Sequence, residues 1–338
     1  MANPNRLRGF TADPREIQYT GRDLQRPECI LAERNGTLWS ADARGGVMRI
    51  APDGTQQFVG QQQSNFSGAS DDSTRFTQGT LPNGLAFDRD GRFLIANFGT
   101  DRLEQMDRDG RSRVLYDRID GQAIGKVNFV LRDSHDRMWL TISTRIQNWM
   151  DTMNPGFTDG YVAVADERGL HVVAEGFAFT NEIRFDAKEE WLYVVETTAR
   201  RITRLRIASD ASVSARETFG PERLGDGFPD GIAFDADGNL WIAEVMSDRL
   251  LAITPEGELL PPILDDGDPA ATRALAAAFD AGHNNSEIML KAGGKIAPWF
   301  ASVTFGGPDL RTVYVGSLRG NRIPWFRSPV PGLPMVHW

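Results

Sequence analysis

Six side chains recur at one place in a repeating segment of this chain, and most of them offer oxygen ligands. Aligning PECILAERNGTLWSAD from Pro27, PNGLAFDRDGRFLIAN from Pro82, VNFVLRDSHDRMWLTI from Val127, TNEIRFDAKEEWLYVV from Thr180, PDGIAFDADGNLWIAE from Pro229 and ASVTFGGPDLRTVYVG from Ala301 puts Glu28, Asn83, Asn128, Asn181, Asp230 and Ser302 in one column. The carboxylates and carboxamides of Glu28, Asn128, Asn181 and Asp230 are hard donors of the kind that suits Ca²⁺, with Asn83 and Ser302 nearby, and two carboxylates balance its two charges. Singly, an Asn or Asp ahead of a strand is an ordinary turn residue that caps backbone groups. Gathered at one height in a partly buried channel, the same residues are costly without a counter-ion. The expected cofactor is therefore a divalent cation, Ca²⁺ first, with Mn²⁺, Mg²⁺ and Zn²⁺ as alternatives. Zinc fits least well, because the four histidines (135, 171, 283 and 337) are scattered and Cys29 stands alone.

The repeat that carries these residues specifies their scaffold. Their successive spacings are 55, 45, 53, 49 and 72 residues, about one propeller blade each with the last enlarged. In each copy an apolar run leads through a turn signal, such as Asn35-Gly36 or Asp237-Gly238, into a second apolar run, the pattern of a β-hairpin. Eleven residues after the column stand Trp39, Leu94, Trp139, Leu192, Trp241 and Val313, large apolar side chains suited to packing between sheets. Third strands are expected at residues 46–50, 102–107, 201–207, 249–254 and 321–326. Residues 16–20 are positioned to supply the outer strand of the last blade and close the ring. The predicted fold is all-β: one six-bladed β-propeller domain over residues 1–338, with four-stranded blades and a helical insertion at 269–281 before the last blade. A TIM barrel would need helices of ten or more residues between strands, which the sequence lacks. Because the first strand of each blade is innermost, the column becomes a ring at one mouth of the channel. Alternating strand direction then places the long insertions 60–81, 145–159 and 265–300 over that mouth.

Composition restricts the partners. A net charge of −9 disfavours nucleic acid or an anionic membrane and favours a cation or a small-molecule substrate. A single cysteine excludes an intrachain disulfide. The opening MANPNRLRGF has no apolar signal core, and no stretch approaches the ~18 apolar residues of a membrane span, so a cytoplasmic protein is expected.

The segments PNGLAFDRDG, TNEIRFD with LYVVET, PDGIAFDADGNLWIAE and SVTFGGPDLRTVYV resemble the senescence marker protein and gluconolactonase (regucalcin-like) family, and more distantly diisopropylfluorophosphatase, paraoxonase and the strictosidine synthases. The likeness spans residues 20–326. It implies that Glu28, Asn128, Asn181 and Asp230 hold a divalent cation and that Asp230 doubles as general base. Two positions depart from the family pattern. Lys126 stands where an Arg is usual, two residues before the middle Asn, and is expected to bind an anionic oxygen. Phe129 replaces an acidic neighbour and removes a polar contact for a sugar hydroxyl.

The implied activity is metal-assisted hydrolysis of a lactone or related ester, with catalytic Asp230 and Lys126. Phosphotriester hydrolysis, a hydration, aldol-type or ring-opening step on a carbonyl compound, and plain calcium binding are the alternatives. No histidine forms a triad pattern with Ser302, which reads as a structural hydroxyl. His283 lies on a loop expected over the mouth but reads first as a solvated residue. Trp149, Met150, Met153, Phe157, Trp299 and Phe300 are expected to make an apolar rim.

Overall fold

The computed structural model describes residues 5–62 and 79–338, so most of the 60–81 insertion lies outside the described residues. Each repeat folds into one four-stranded antiparallel sheet. The first contains Ile30–Ala32, Leu38–Asp42, Gly46–Ile50 and Gln56–Gly60, side by side in that order. The innermost strands of the others are Pro82–Phe87, Val127–Arg132, Thr180–Phe185, Phe228–Phe234 and Phe300–Gly306. Each innermost strand touches those of its two neighbours, and Ile30–Ala32 meets Phe300–Gly306 to complete the ring. The last sheet takes its outer strand from the start of the chain. Gln18–Thr20 pairs with Ile323–Arg327, Gln18 opposite Trp325, so covering that edge joins the two ends of the fold.

The packing residues of the repeat are buried as their size requires. Trp139, Trp241, Leu94, Leu192 and Val313 have no solvent exposure and Trp39 only 4%. Five residues after the ring position an acid recurs at Glu33, Asp88, Asp133, Asp186 and Asp235. Three of these acids accept the indole N–H of the packing Trp in their own blade: Trp39 to Glu33 (2.9 Å), Trp139 to Asp133 (2.8 Å) and Trp241 to Asp235 (2.9 Å). Asp88, Asp133 and Asp235 also accept backbone N–H groups of the hairpin turn. One carboxylate thus fixes both turn geometry and Trp orientation.

The insertion before the last blade forms two helices, Pro269–Asp280 and Ser286–Lys291. The first is capped by Asp268, whose carboxylate accepts from Ala270 and Ala271 N–H, with proline at the first helical position. The second was not legible as a helix, being only six residues long.

At the end of the channel away from the ring, residues 333–338 cross the opening. Leu333 N–H bonds to Phe234 O (2.8 Å), His337 Nε2 lies 3.1 Å from Ala32 O, and Arg34 donates to Trp338 O (3.0 Å). Among the described residues no helix is long and apolar enough to cross a membrane.

Candidate active site

Five of the six ring residues line one pocket. Glu28, Asn83, Asn128, Asn181 and Asp230 form its floor, and about 560 Å³ of empty space, part of it open to solvent, lies above them. That is the size range of small-molecule sites. Two glycines tighten the ring. A Cβ on Gly84 would stand 2.5 Å from the Phe129 ring, and one on Gly231 would stand 2.4 Å from Ala301 O. The PNG and PDG motifs therefore require glycine so that the next inner strand can approach. Ser302 faces elsewhere, giving its hydroxyl proton to Glu28 O, and is structural as its sequence context implies.

The amide orientations on the floor are fixed by donors that have only one acceptor to choose. Thr197 donates its hydroxyl proton to Pro229 O (2.8 Å), so it accepts from Asn181 Nδ2 (3.1 Å), which turns Asn181 Oδ1 away from that hydroxyl. Ser143 likewise donates to Thr180 O (2.7 Å) and accepts from Asn128 Nδ2 (3.0 Å). Asn128 Oδ1 then accepts from Asn83 Nδ2 (3.2 Å), and Asn83 Oδ1 accepts from Arg26 Nη2 (2.7 Å). An arginine can only donate, so the whole chain of bonds has one direction.

Two oxygens in this arrangement have no hydrogen-bond partner although they are buried: Glu28 Oε2 and Asn181 Oδ1. Unpaired buried acceptors of this kind are uncommon and costly. Burial pushes the Glu28 carboxyl well above the usual carboxylate range, against the pull of Arg26 and with repulsion from Asp230 and Glu182 adding to it. Burial also raises Asp230 well above its usual value, with Glu182 contributing and Arg26 opposing. Below the ring, Glu182 is raised to about 7 by desolvation, in spite of its ion pair with Arg184 (3.0 Å). The site is a desolvated, oxygen-rich enclosure in which Glu28, Asn128, Asn181 and Asp230 could hold a hard divalent cation.

The wall above is apolar. Phe98, Trp149 and Phe179 pack as an aromatic group, with Phe98–Trp149 centroids 5.7 Å apart, beside Met153, Val245, Met246, Met289, Trp299 and Leu318. These come from the ends of second strands and the loops that follow them, from the link between the third and fourth blades (Phe179) and from the helical insertion, on the ring face as the strand directions require. Asp248 anchors the insertion: its carboxylate accepts the backbone N–H groups of Gly294, Trp299 and Phe300, and burial raises it to about 6.

Three expectations are corrected by position. Lys126 does not line the pocket; its ammonium is buried and ion-paired with Asp101 at 2.9 Å, behind Phe98. Phe129 is 1% exposed and packs in the core beneath the Arg184 guanidinium, 4.6 Å from its ring centroid, so it touches no substrate space. Phe300 is wholly buried in the core, whereas Met150 and Phe157 are partly buried and outside the lining. His283, read first as a solvated residue, is exposed and outside the pocket. Arg26 is the floor residue that the sequence reading passed over. Its signal was a basic residue two places before the ring position, the same register as Lys126.

A second acidic group lies away from the ring, with Asp133 and His135 in the hairpin turn of the third blade and Glu189 in that of the fourth. Asp133 there already accepts from His135 N, Arg137 N, Arg137 Nε and Trp139 Nε1. The equivalent Asp235 makes the same kind of turn bonds with no histidine beside it. This group is hairpin architecture.

The 6-deoxy-6-sulfogluconolactonase of Pseudomonas putida is 28% identical over 157 residues, 46% of this chain and 44% of that protein, so less than half of the relative's length is matched. A luciferin-regenerating enzyme superposes with a TM-score of 0.70 at 16% identity, covering 95% of this chain and 98% of the other. Regucalcin from Agrobacterium tumefaciens, a calcium-binding protein, superposes with a TM-score of 0.67 at 14% identity over 94% and 96% of the two chains. At such identities the superpositions establish the fold. The family described as SMP-30/Gluconolactonase/LRE-like region matches residues 27–265, a span that holds all five ring residues on the pocket floor, and this propeller belongs to that family.

Proposed function

We propose that the pocket hydrolyses a lactone or related ester with the help of a divalent cation held by Glu28, Asn128, Asn181 and Asp230. The observation that carries this reading is the pair of buried, unpartnered oxygens, Glu28 Oε2 and Asn181 Oδ1, on the floor they share with Asp230. The printed name of the Pseudomonas putida relative, a lactonase, and the calcium-binding regucalcin fold give independent support.

The chain's own residues divide the work. Thr197 and Ser143 hold the carboxamides of Asn181 and Asn128 in one orientation, so the oxygens need no reorganisation when a ligand enters. The aromatic wall of Phe98, Trp149 and Phe179 excludes water from the acyl group. Asp230 accepts the proton of the attacking water as its oxygen bonds to the carbonyl carbon. It then returns that proton to the ring or ester oxygen as the acyl C–O bond breaks, giving an acid and an alcohol. When bound, the cation supplies Lewis acidity to the substrate carbonyl and lowers the cost of negative charge on its oxygen.

Turnover of a panel of neutral lactones, followed by pH-stat with and without Ca²⁺, tests this reading. Hydrolysis that requires the metal and is lost in Glu28→Gln is the expected result. No turnover of any lactone or aryl ester by the metal-supplied protein would remove the proposal.

A further inference from the structure

Among the described residues, Arg26 is the one cation on the pocket floor, and its backbone is bent to put it there. Its φ is +55°, a region that non-glycine residues rarely adopt and that tends to persist where function requires it. The following turn is tight, with Glu28 N–H bonded to Arg26 O at 2.8 Å. The guanidinium gives one hydrogen bond to Asn83 Oδ1 (2.7 Å) and a long one to Pro82 O (3.4 Å). Three of its five N–H groups are left over, and Nε is completely enclosed without a partner. At the corresponding place in the other blades stand Leu81, Lys126, Phe179, Phe228 and Phe300. The only other cation there, Lys126, is already paired with Asp101.

Charge balance determines what Arg26 can serve. Two carboxylates, Glu28 and Asp230, match a divalent cation, which leaves the guanidinium as surplus positive charge in a desolvated pocket. Above it stand Trp149, Met153, Met289 and Trp299, a surface for hydrocarbon. We propose that Arg26 is the binding group for a carboxylate on the substrate, so that the preferred substrates are lactones or esters that combine an apolar body with an anionic arm. This inference rests on the hydrolase reading of the pocket. A guanidinium suits this role because its planar fork matches a carboxylate, and the surrounding low dielectric strengthens the pair.

The experiment separates binding from turnover. Calcium-loaded protein is titrated calorimetrically with 4-phenylbutyrate and with 4-phenylbutyramide, for the wild type, Arg26→Met and Arg26→Lys. The wild type should bind the acid; Arg26→Met should weaken the acid at least about tenfold more than the amide, and Arg26→Lys should fall between, as expected for a charged hydrogen bond. Equal loss for acid and amide would show that Arg26 acts only by orienting Asn83, and would overturn the proposal. So would unchanged binding of the acid by Arg26→Met, or no binding of it by the wild type. If Arg26→Met does not fold, Arg26→Lys and Arg26→Gln decide by the same acid-to-amide ratio. Loss of the hydrolase reading has a different signature, because neutral lactones would then not turn over in any variant while the acid still bound.

Discussion

The hydroxyl of Thr197 accepts from the amide of Asn181 at 3.1 Å and donates to Pro229 O at 2.8 Å, so the residue just before Asp230 fixes which way the neighbouring blade's Asn181 faces. Ser143 does the same between Asn128 and Thr180. Both hydroxyls lie fifteen or sixteen residues after the Asn they orient.

Thr197→Val keeps the shape but strips both bonds. It leaves the Asn181 amide and the Pro229 carbonyl without this partner, a cost of about 1–3 kcal/mol for a buried group. Thermal unfolding should show that loss. Calcium affinity should also fall ~10- to 100-fold, the usual effect of removing a group that orients a ligand. A calcium isotherm identical to the wild type would show that Asn181 is not a ligand.

Asp230→Asn separates holding the metal from moving the proton. At saturating metal, kcat should drop by about 100-fold or more, because proton transfer by a placed base contributes on that order. Recovery of the wild-type kcat at high metal would leave Asp230 as a ligand only.

The wall of the pocket sets substrate polarity. Burying apolar ligand surface gains roughly 25 cal/mol per Å², whereas each sugar hydroxyl left without a partner costs about 1–3 kcal/mol. Alkyl- or aryl-bearing lactones should therefore exceed gluconolactone in kcat/KM. A tenfold preference for gluconolactone would refute the apolar reading. Phe129→Asp, attractive from sequence as a way to narrow that gap, should instead destabilise the core by about 3–5 kcal/mol, the usual cost of truncating a buried aromatic. The gap itself should persist in whatever fraction remains folded.

A buried glutamate paired across the strands with Pro229, beside the floor, gives a pH signature of its own. Burial raises Glu244 to about 7, although Arg249 at 2.7 Å pulls it down. Its Oε1 has no partner, which leaves a place for an amide nitrogen. Because the folded state holds this proton more tightly than the unfolded one, the contribution is fully present below the ordinary glutamate pKa and is lost as pH rises through about 7. The melting temperature of Glu244→Gln should thus rise relative to wild type between pH 5 and pH 8. A fall would mean that the ionised Glu244–Arg249 pair stabilises the fold.

The fold was legible because a propeller repeats its chemistry: one alignment column gave the ring, another the buried Trp residues, and the outer strand near residue 18 followed from ring closure. The pocket floor was legible for the same reason. What escaped was set by contacts between distant segments. Nothing near Lys126 in sequence announces that Asp101 neutralises it. Phe129 follows Asn128 directly, at a point where the strand pairing is irregular, and it turns into the core while Asn128 faces the pocket. Arg26 was readable in principle, since the same two-residue offset drew attention to Lys126.

Metal dependence of hydrolysis decides most about this protein. The purified protein is stripped with chelator, checked by elemental analysis, and assayed on its best lactone before and after Ca²⁺ is returned, with the melting temperature recorded in each state. Activity should vanish on stripping and return with the metal. The melting temperature should follow, since a ligand at about 100 times its Kd stabilises the folded state by about 2.7 kcal/mol. Full activity in the stripped protein would mean that Glu28, Asn128, Asn181 and Asp230 hold no catalytic cation.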